Sequence, residues 1–219
     1  MAEVYGVKPK MFTREWWPYF WMYYKWHVIG ILFVIFAVIF TAAQCASRPK
    51  IDLAITYAGH HTFTDEQAAM FSSDMGEVIE DIDKDGHRNV DFQRYVFSDR
   101  PGTEEYDNAT QTKLNMEFYN ERSYIFLPDE QLLAFLTNNK YYDDVYARVE
   151  DWAEVMPDEE HLVRVGGNAY AVSLKDSEYL KSAGMNSDMY IMVKRDTKDE
   201  ELEKAAYKQS VKMANKLIK

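Results

Sequence analysis

The chain has 219 residues, and its 25 Lys and Arg against 36 Asp and Glu give a formal net charge of -11. That charge is split: residues 1–50 hold six basic groups (Lys8, Lys10, Arg14, Lys25, Arg48, Lys50) against Glu3 and Glu15, a net of +4, which leaves -15 on the rest. A domain so acidic repels phosphate backbones and excludes nucleic acid as its main partner, while the single Cys excludes a disulfide framework and a Cys-rich zinc site.

The first predicted element is a membrane helix. Val28–Ser47 is 20 residues without a charge, and Val28–Ala43 (VIGILFVIFAVIFTAA) is almost wholly apolar. At about 1.5 Å per residue such a helix reaches roughly 30 Å, the thickness of a bilayer's hydrocarbon core. Before it, WWPYFWMYYKW crowds Trp16, Trp17, Tyr19, Phe20, Trp21, Tyr23, Tyr24 and Trp26 into one stretch, an aromatic belt for the headgroup zone. Pro18 suits a first helical turn, where its missing N–H costs nothing.

The division is therefore a cytoplasmic tail over 1–17, a belt and bilayer-spanning helix over 18–47, and an extracytoplasmic domain over 48–219. A cleaved secretory signal is the competing reading. The aromatic N-terminal region is too long for one, and Gln44 stands where lipoprotein cleavage before Cys45 needs a small residue. Four Lys/Arg precede the span and Arg48 and Lys50 follow it, which places the N-terminus inside the cell membrane and the acidic domain outside. Within Val28–Ala43 the small residues are few (Gly30, Ala42 and Ala43 stand out), so small-xxx-small spacing favours a lipid-facing, autonomous anchor.

Beyond Pro49 strand-like and helix-like segments alternate. Strands are predicted at Ile51–Tyr57, Val90–Phe97, Ser123–Leu127 and Tyr190–Val193, and a hairpin joins Val163–Val165 to Ala169–Leu174 through Gly166-Gly167-Asn168. Helices are predicted after the Thr64/Gln67 capping box, with Phe71, Met75, Val78, Ile79 and Ile82 inward, and over Asn108–Asn120, with Leu114 and Phe118 inward. Leu132, Leu133, Phe135 and Leu136 mark another, and Val145, Val149 and Trp152 a turn or two more. A closing helix begins at a Thr197/Glu200 box and buries Leu202, Ala206, Met213 and Leu217. This order is the signature of an α/β domain with a mostly parallel sheet and helices on both faces.

The run KIDLAITYAG, helix, NVDFQRYVFS, helix, RSYIFLPDEQL resembles the first lobe of a type 2 periplasmic solute-binding protein. LVRVGGNAYAVSL is similar to the hairpin and short strand such proteins carry near the lobe crossover. With the WWPYFWMYYKWH lead into one anchor, the layout also resembles an uncharacterised family of single-pass membrane-anchored bacterial proteins. The resemblance implies one solute-binding lobe. Solute-binding proteins close two lobes over a ligand, and this chain carries one lobe's worth of residues, so it implies no closing clamshell.

The sharpest motif is Asp81-Ile82-Asp83-Lys84-Asp85-Gly86-His87. Alternate carboxylates with Gly at the sixth position match the first half of a calcium loop, but Phe92 stands where an EF-hand needs Glu. Two readings remain. One is a looser Ca2+ loop using Asp81, Asp83, Asp85, His87 and Asn89, in which the cation offsets acids at a helix C-terminus. The other is a solvated acidic turn.

His60 and His61 alternate faces and lack zinc-ligand partners in sequence. No nucleophile elbow, phosphate loop or Cys/His pairing points to catalysis. Acids such as Asp143, Asp144, Glu159 and Glu160 are too common here to mark a site. Lys204, Lys208, Lys212 and Lys216 form a basic stripe at four-residue spacing, a solvated helix face or a contact for anionic lipid or an acidic partner. The expectation is a non-enzymatic binding or accessory module, held in the lipid bilayer by residues 18–47, with no assigned cofactor. It would offer the sheet's C-terminal edge to a small ligand or partner protein. The alternative is an assembly subunit of a larger membrane complex.

Overall fold

A computed structural model describes residues 11, 13, 14, 16–46, 50–98, 100–117, 123–137, 145–196 and 201–219. The expectations for Phe118, Asp143, Asp144, Thr197 and Glu200 lie outside the described residues, as do those for the side chains of Tyr23 and Cys45. The chain divides into two compact units, Met1–Pro49 and Lys50–Lys219.

The first unit is one helix, α1 (Trp16–Ala46). It starts two residues before Pro18, so the proline falls in the first turn as its chemistry requires. Belt aromatics at four-residue spacing stack along it, Trp16 on Phe20 at 4.7 Å and Phe20 on Tyr24 at 5.5 Å. Within α1, Tyr24–Gln44 is long and apolar enough to cross a bilayer. Among the described residues it is the one helix of that kind, as suits a membrane anchor or a signal sequence.

The second unit is α/β. In chain order it comprises β1 (Leu53–Gly59), α2 (Asp65–Val78), β2 (Val90–Val96), α3 (Glu104–Glu117), β3 (Ser123–Pro128) and α4 (Glu130–Thr137). Then follow α5 (Val149–Trp152), β4 (Leu162–Val165), β5 (Asn168–Ser173), α6 (Glu178–Ser182), β6 (Tyr190–Val193) and α7 (Glu201–Leu217). The predicted capping box opens α2, with Thr64 and Gln67 exchanging side-chain to backbone hydrogen bonds.

The six strands form one sheet in the order β2-β1-β3-β6-β5-β4. By direction it is mostly parallel, since β1, β2, β3 and β5 run one way and β4 and β6 the other. By pairing it divides in half. β2-β1-β3 is parallel and linked by helical crossovers, whereas every ladder from β3 through β6 and β5 to β4 is antiparallel. The β4–β5 half follows from the turn: Gly166 and Gly167 have φ of 59° and 91°, the two left-handed residues of a tight hairpin. A turn that short admits only antiparallel neighbours.

Two cores flank the sheet. On one face Leu53, Ile55 and Tyr57 of β1 and Phe92 of β2 meet Phe71 and Met75 of α2 and Ala206, Met213 and Leu217 of α7. On the other, Phe126, Tyr170 and Met192 meet Leu114 of α3 and Leu132, Leu133 and Leu136 of α4. Helices therefore cover both faces.

Several boundaries differ from the sequence reading. α3 begins at Glu104 rather than Asn108, because Glu104, Glu105 and Asp107 favour a helix N-terminus. β1 runs on to Gly59, and α6 was not expected from its weak apolar spacing. Leu202 and Phe135 are exposed. In the first turn of α7 it is Glu203 that is buried, and in α4 the inward stripe is Leu132, Leu133 and Leu136.

Candidate functional site

Parallel strands expose chemistry at their two ends, and each end here carries one cluster. At the N-terminal ends, the chain between α2 and β2 folds as a loop held by its own carboxylates. Asp81 accepts from the Lys84 N–H at 2.7 Å and from the Gly86 N–H at 2.8 Å. Asp83 and Asp85 accept from Asp85 N–H and His87 N–H at 3.2 and 2.9 Å. Lys84 has φ of 59° and Gly86 of 89°, left-handed positions of which the second suits glycine.

Asp52, which precedes β1, closes this loop from beneath. It is 1% exposed, and its two oxygens accept from Ile82 N–H at 3.0 Å and Asn89 N–H at 2.9 Å. Oxygens of Asp52, Asp81 and Asp83 lie within 4.8 Å of one another. Of the five sequence candidates, Asp81 and Asp83 come together with Asp52, while Asp85 and His87 are not part of that group and the Asn89 side-chain amide donates to Lys50 O. Partial desolvation acts to raise the Asp81 pKa, but N–H donors of Gly86 and Lys84 outweigh it and hold the group below the usual carboxylate range. Two lysines already offset these acids: Lys212 Nζ meets Glu80 at 2.6 Å, and Lys50 Nζ lies 3.8 Å from Asp83. The Lys212 hydrogen bond lowers the Glu80 pKa. The conflict of acids with a helix C-terminus is thus partly answered by the last helix, and the set remains a hard-oxygen group of the kind calcium takes.

The C-terminal ends carry the other cluster. β1 is followed by α2, which packs into one core, whereas β3 is followed by α4, which packs into the other. The helices leave neighbouring strands toward opposite faces, and the crevice this opens is where open α/β sheets hold ligands. There Asp129, the residue after β3, meets His60, the residue after β1. Asp129 Oδ2 lies 2.6 Å from His60 Nδ1 and accepts from His60 N–H at 2.9 Å. Its other oxygen accepts from Leu132 N–H at 2.9 Å and so caps the first turn of α4. The two side chains are 24% and 17% exposed, so the pair is sheltered yet open to solvent. The Phe97 ring is 6.1 Å from the imidazole.

Beneath the pair, the buried Tyr57 hydroxyl accepts from His61 N–H at 3.0 Å. Burial pushes this phenol up to about 12, against the lowering effect of the His61 hydrogen bond and aided by the nearby Asp129 charge. Gly59 fits between them: a Cβ there would stand 2.5 Å from the Tyr57 hydroxyl and 2.8 Å from Asp129 Oδ2. His61 itself stacks edge-on to Phe63 at 4.8 Å. Chemically the arrangement is an oriented imidazole–carboxylate pair over a neutral phenol, a hydrogen-bonding site.

The remaining sequence candidates lie apart from both clusters. Glu159 forms an exposed double contact with Arg164, and Asp158, Glu160 and His161 make a second acid and histidine group, mostly exposed. Lys181, with His161, holds Asp176 down at about 2. In the lysine stripe Lys212 is committed to Glu80 and Lys216 lies 5.9 Å from the centre of the Tyr179 ring.

Sequence reading missed two residues. Asp129 carried a signal, an Asp between a short apolar strand and a helix, which is where an N-cap belongs. Asp52 carried a fainter one, a lone acid inside an apolar strand, which must find partners once buried. No family model, curated protein or solved structure matches the chain.

Proposed function

We propose that this protein is a single-pass, membrane-anchored binding module of non-enzymatic type. Its α/β domain lies outside the cell membrane, its N-terminus is cytoplasmic, and a small ligand or partner docks at the C-terminal ends of β1 and β3. The observation that carries this reading is the His60–Asp129 pair at the point where α2 and α4 diverge to opposite faces. The chain's resemblance to one solute-binding lobe supports the same edge. Anchorage rests on Tyr24–Gln44 and its belt, and orientation on the excess of Lys and Arg before the span.

The test is thermal melting of the full chain in detergent micelles against amino acids, sugars, short peptides and divalent cations. A raised melting temperature with one class, reduced in His60→Ala, supports the module; no shift with any class ends it. Calcium is the ion we propose for the Asp52, Asp81 and Asp83 group, with a structural role, because it sits at the opposite strand ends from the crevice. A structural subunit of a larger membrane complex is the second reading, and the observation favouring it is the relief along α1 described next.

A further inference from the structure

The face of α1 is not uniform. At 100° per residue, Gly30, Val34, Ala37, Thr41 and Gln44 fall within about 40° of one line along the helix, and His27 lies about 60° from it. Their spacing alternates four and three residues, the heptad seam of left-handed helix pairs. The opposite side carries bulk, with Leu32 and Ile39 both well exposed.

On the seam the small residues leave two shallow hollows. His27, Gly30, Ile31 and Val34 frame the first, and Val34, Ala37, Val38 and Thr41 the second. Each set is i, i+3, i+4, i+7, the four-residue frame that receives a side chain in knobs-into-holes packing, and the two lie one heptad apart.

Resting on the anchor reading above, we propose that α1 pairs in parallel with α1 of a second copy of this chain through this seam. Four-residue small-xxx-small spacing does not reveal it, because the repeat is seven. The occupant follows from three features. Every copy enters the membrane in the same orientation, so in a parallel pair each seam residue meets its own equivalent at the same depth. The polar groups on the seam are self-complementary: an amide such as Gln44 and a neutral imidazole such as His27 each donate and accept. Hydrocarbon offers neither partner, whereas a second copy offers both. Finally, Val28–Ser47 carries no charge to repel its twin. Thr41 already donates to Ala37 O at 2.7 Å, so its methyl can pack at the seam without an unmet hydroxyl.

The test uses the full chain in its native membrane, with Cys45→Ser and one new cysteine at a time, under mild oxidation. Ala37→Cys and Thr41→Cys should give disulfide-linked dimers several-fold above Leu32→Cys and Ile39→Cys. Adding Gly30→Leu to Thr41→Cys, which fills the upper hollow, should abolish its dimer. Equal cross-linking on both faces, no dimer at any position, or adducts whose mass is not twice the chain overturn the pairing. An alkaline wash separates the two claims. Chain released by the wash overturns the anchor and the pairing together, whereas chain retained without face-specific cross-links overturns the pairing alone.

Discussion

Gly59 is where the crevice tolerates least. A methyl group placed there meets the Tyr57 hydroxyl at 2.5 Å and the Asp129 carboxylate at 2.8 Å, both fixed by their own hydrogen bonds. Gly59→Ala should therefore cost about 1–3 kcal/mol, the usual penalty for overpacking, read as a lower midpoint in urea unfolding. Asp129 does two jobs, and two substitutions separate them. Asp129→Ala removes both the cap on α4, worth about 0.5–2 kcal/mol, and the partner of His60. Asp129→Asn keeps an acceptor for Leu132 N–H but loses the charge beside the imidazole, so the His60 ring resonances should move in its NMR spectrum while stability falls less than in Asp129→Ala. Equal losses in the two variants would mean that the charge, not the cap, holds this corner. Asp129 was half legible in the sequence, since its cap position could be read locally. Its pairing with His60 could not, because 69 residues separate the two and only strand order makes them neighbours.

The elements show a similar division. Local chemistry set the capping box of α2, the Gly166-Gly167 turn and the bounds of β6, and each stands as read. The antiparallel half of the sheet was less legible, since the direction of β6 depends on where it docks rather than on its own four residues. The loop from α2 to β2 needed both kinds of information. Its acids suggested a cation, while the fold supplies Lys212 from the last helix and Asp52 from the chain before β1. With calcium as the proposed ion, the full chain in micelles should melt higher in millimolar calcium than in chelator, and Asp83→Asn should shrink the difference. Identical curves would leave the loop to its amides and lysines. Packing makes a sharper contrast along α7. Met213 is fully buried and Leu202 exposed although their spacing suits one face, so Met213→Ala should cost about 2–5 kcal/mol and Leu202→Ala almost nothing.

At the scale of the whole molecule the two-unit plan was the most legible feature, because hydropathy and charge are summed over tens of residues and survive local errors. What the sums hid is how much the domain relies on neutral tyrosines. Burial pushes the phenols of Tyr57 and Tyr95 up to about 12, and raises those of Tyr146, Tyr179, Tyr190 and Tyr207 as well, with nearby carboxylates such as Glu117 at Tyr95 and Asp74 at Tyr179 adding to it. The sign follows from linkage: a group whose folded pKa exceeds its unfolded value of about 10 contributes fully below that pH. As pH climbs from about 10 toward 12, the unfolded chain loses phenolic protons that the fold still keeps, and stability drains away. The domain should consequently unfold cooperatively in that window, with tyrosinate absorbance rising in step with the loss of far-ultraviolet dichroism. The -15 charge works in the same direction and adds self-repulsion that salt screens, so raising ionic strength should move the midpoint upward. Tyrosines titrating one by one near 10 with the dichroism intact would show that burial does not govern them. Tyr57→Phe separates the contributions, since it removes one ionisable group together with the acceptor for His61 N–H. That variant should be less stable at neutral pH yet lose less between 10 and 12, and a parallel loss at both would assign Tyr57 to packing alone.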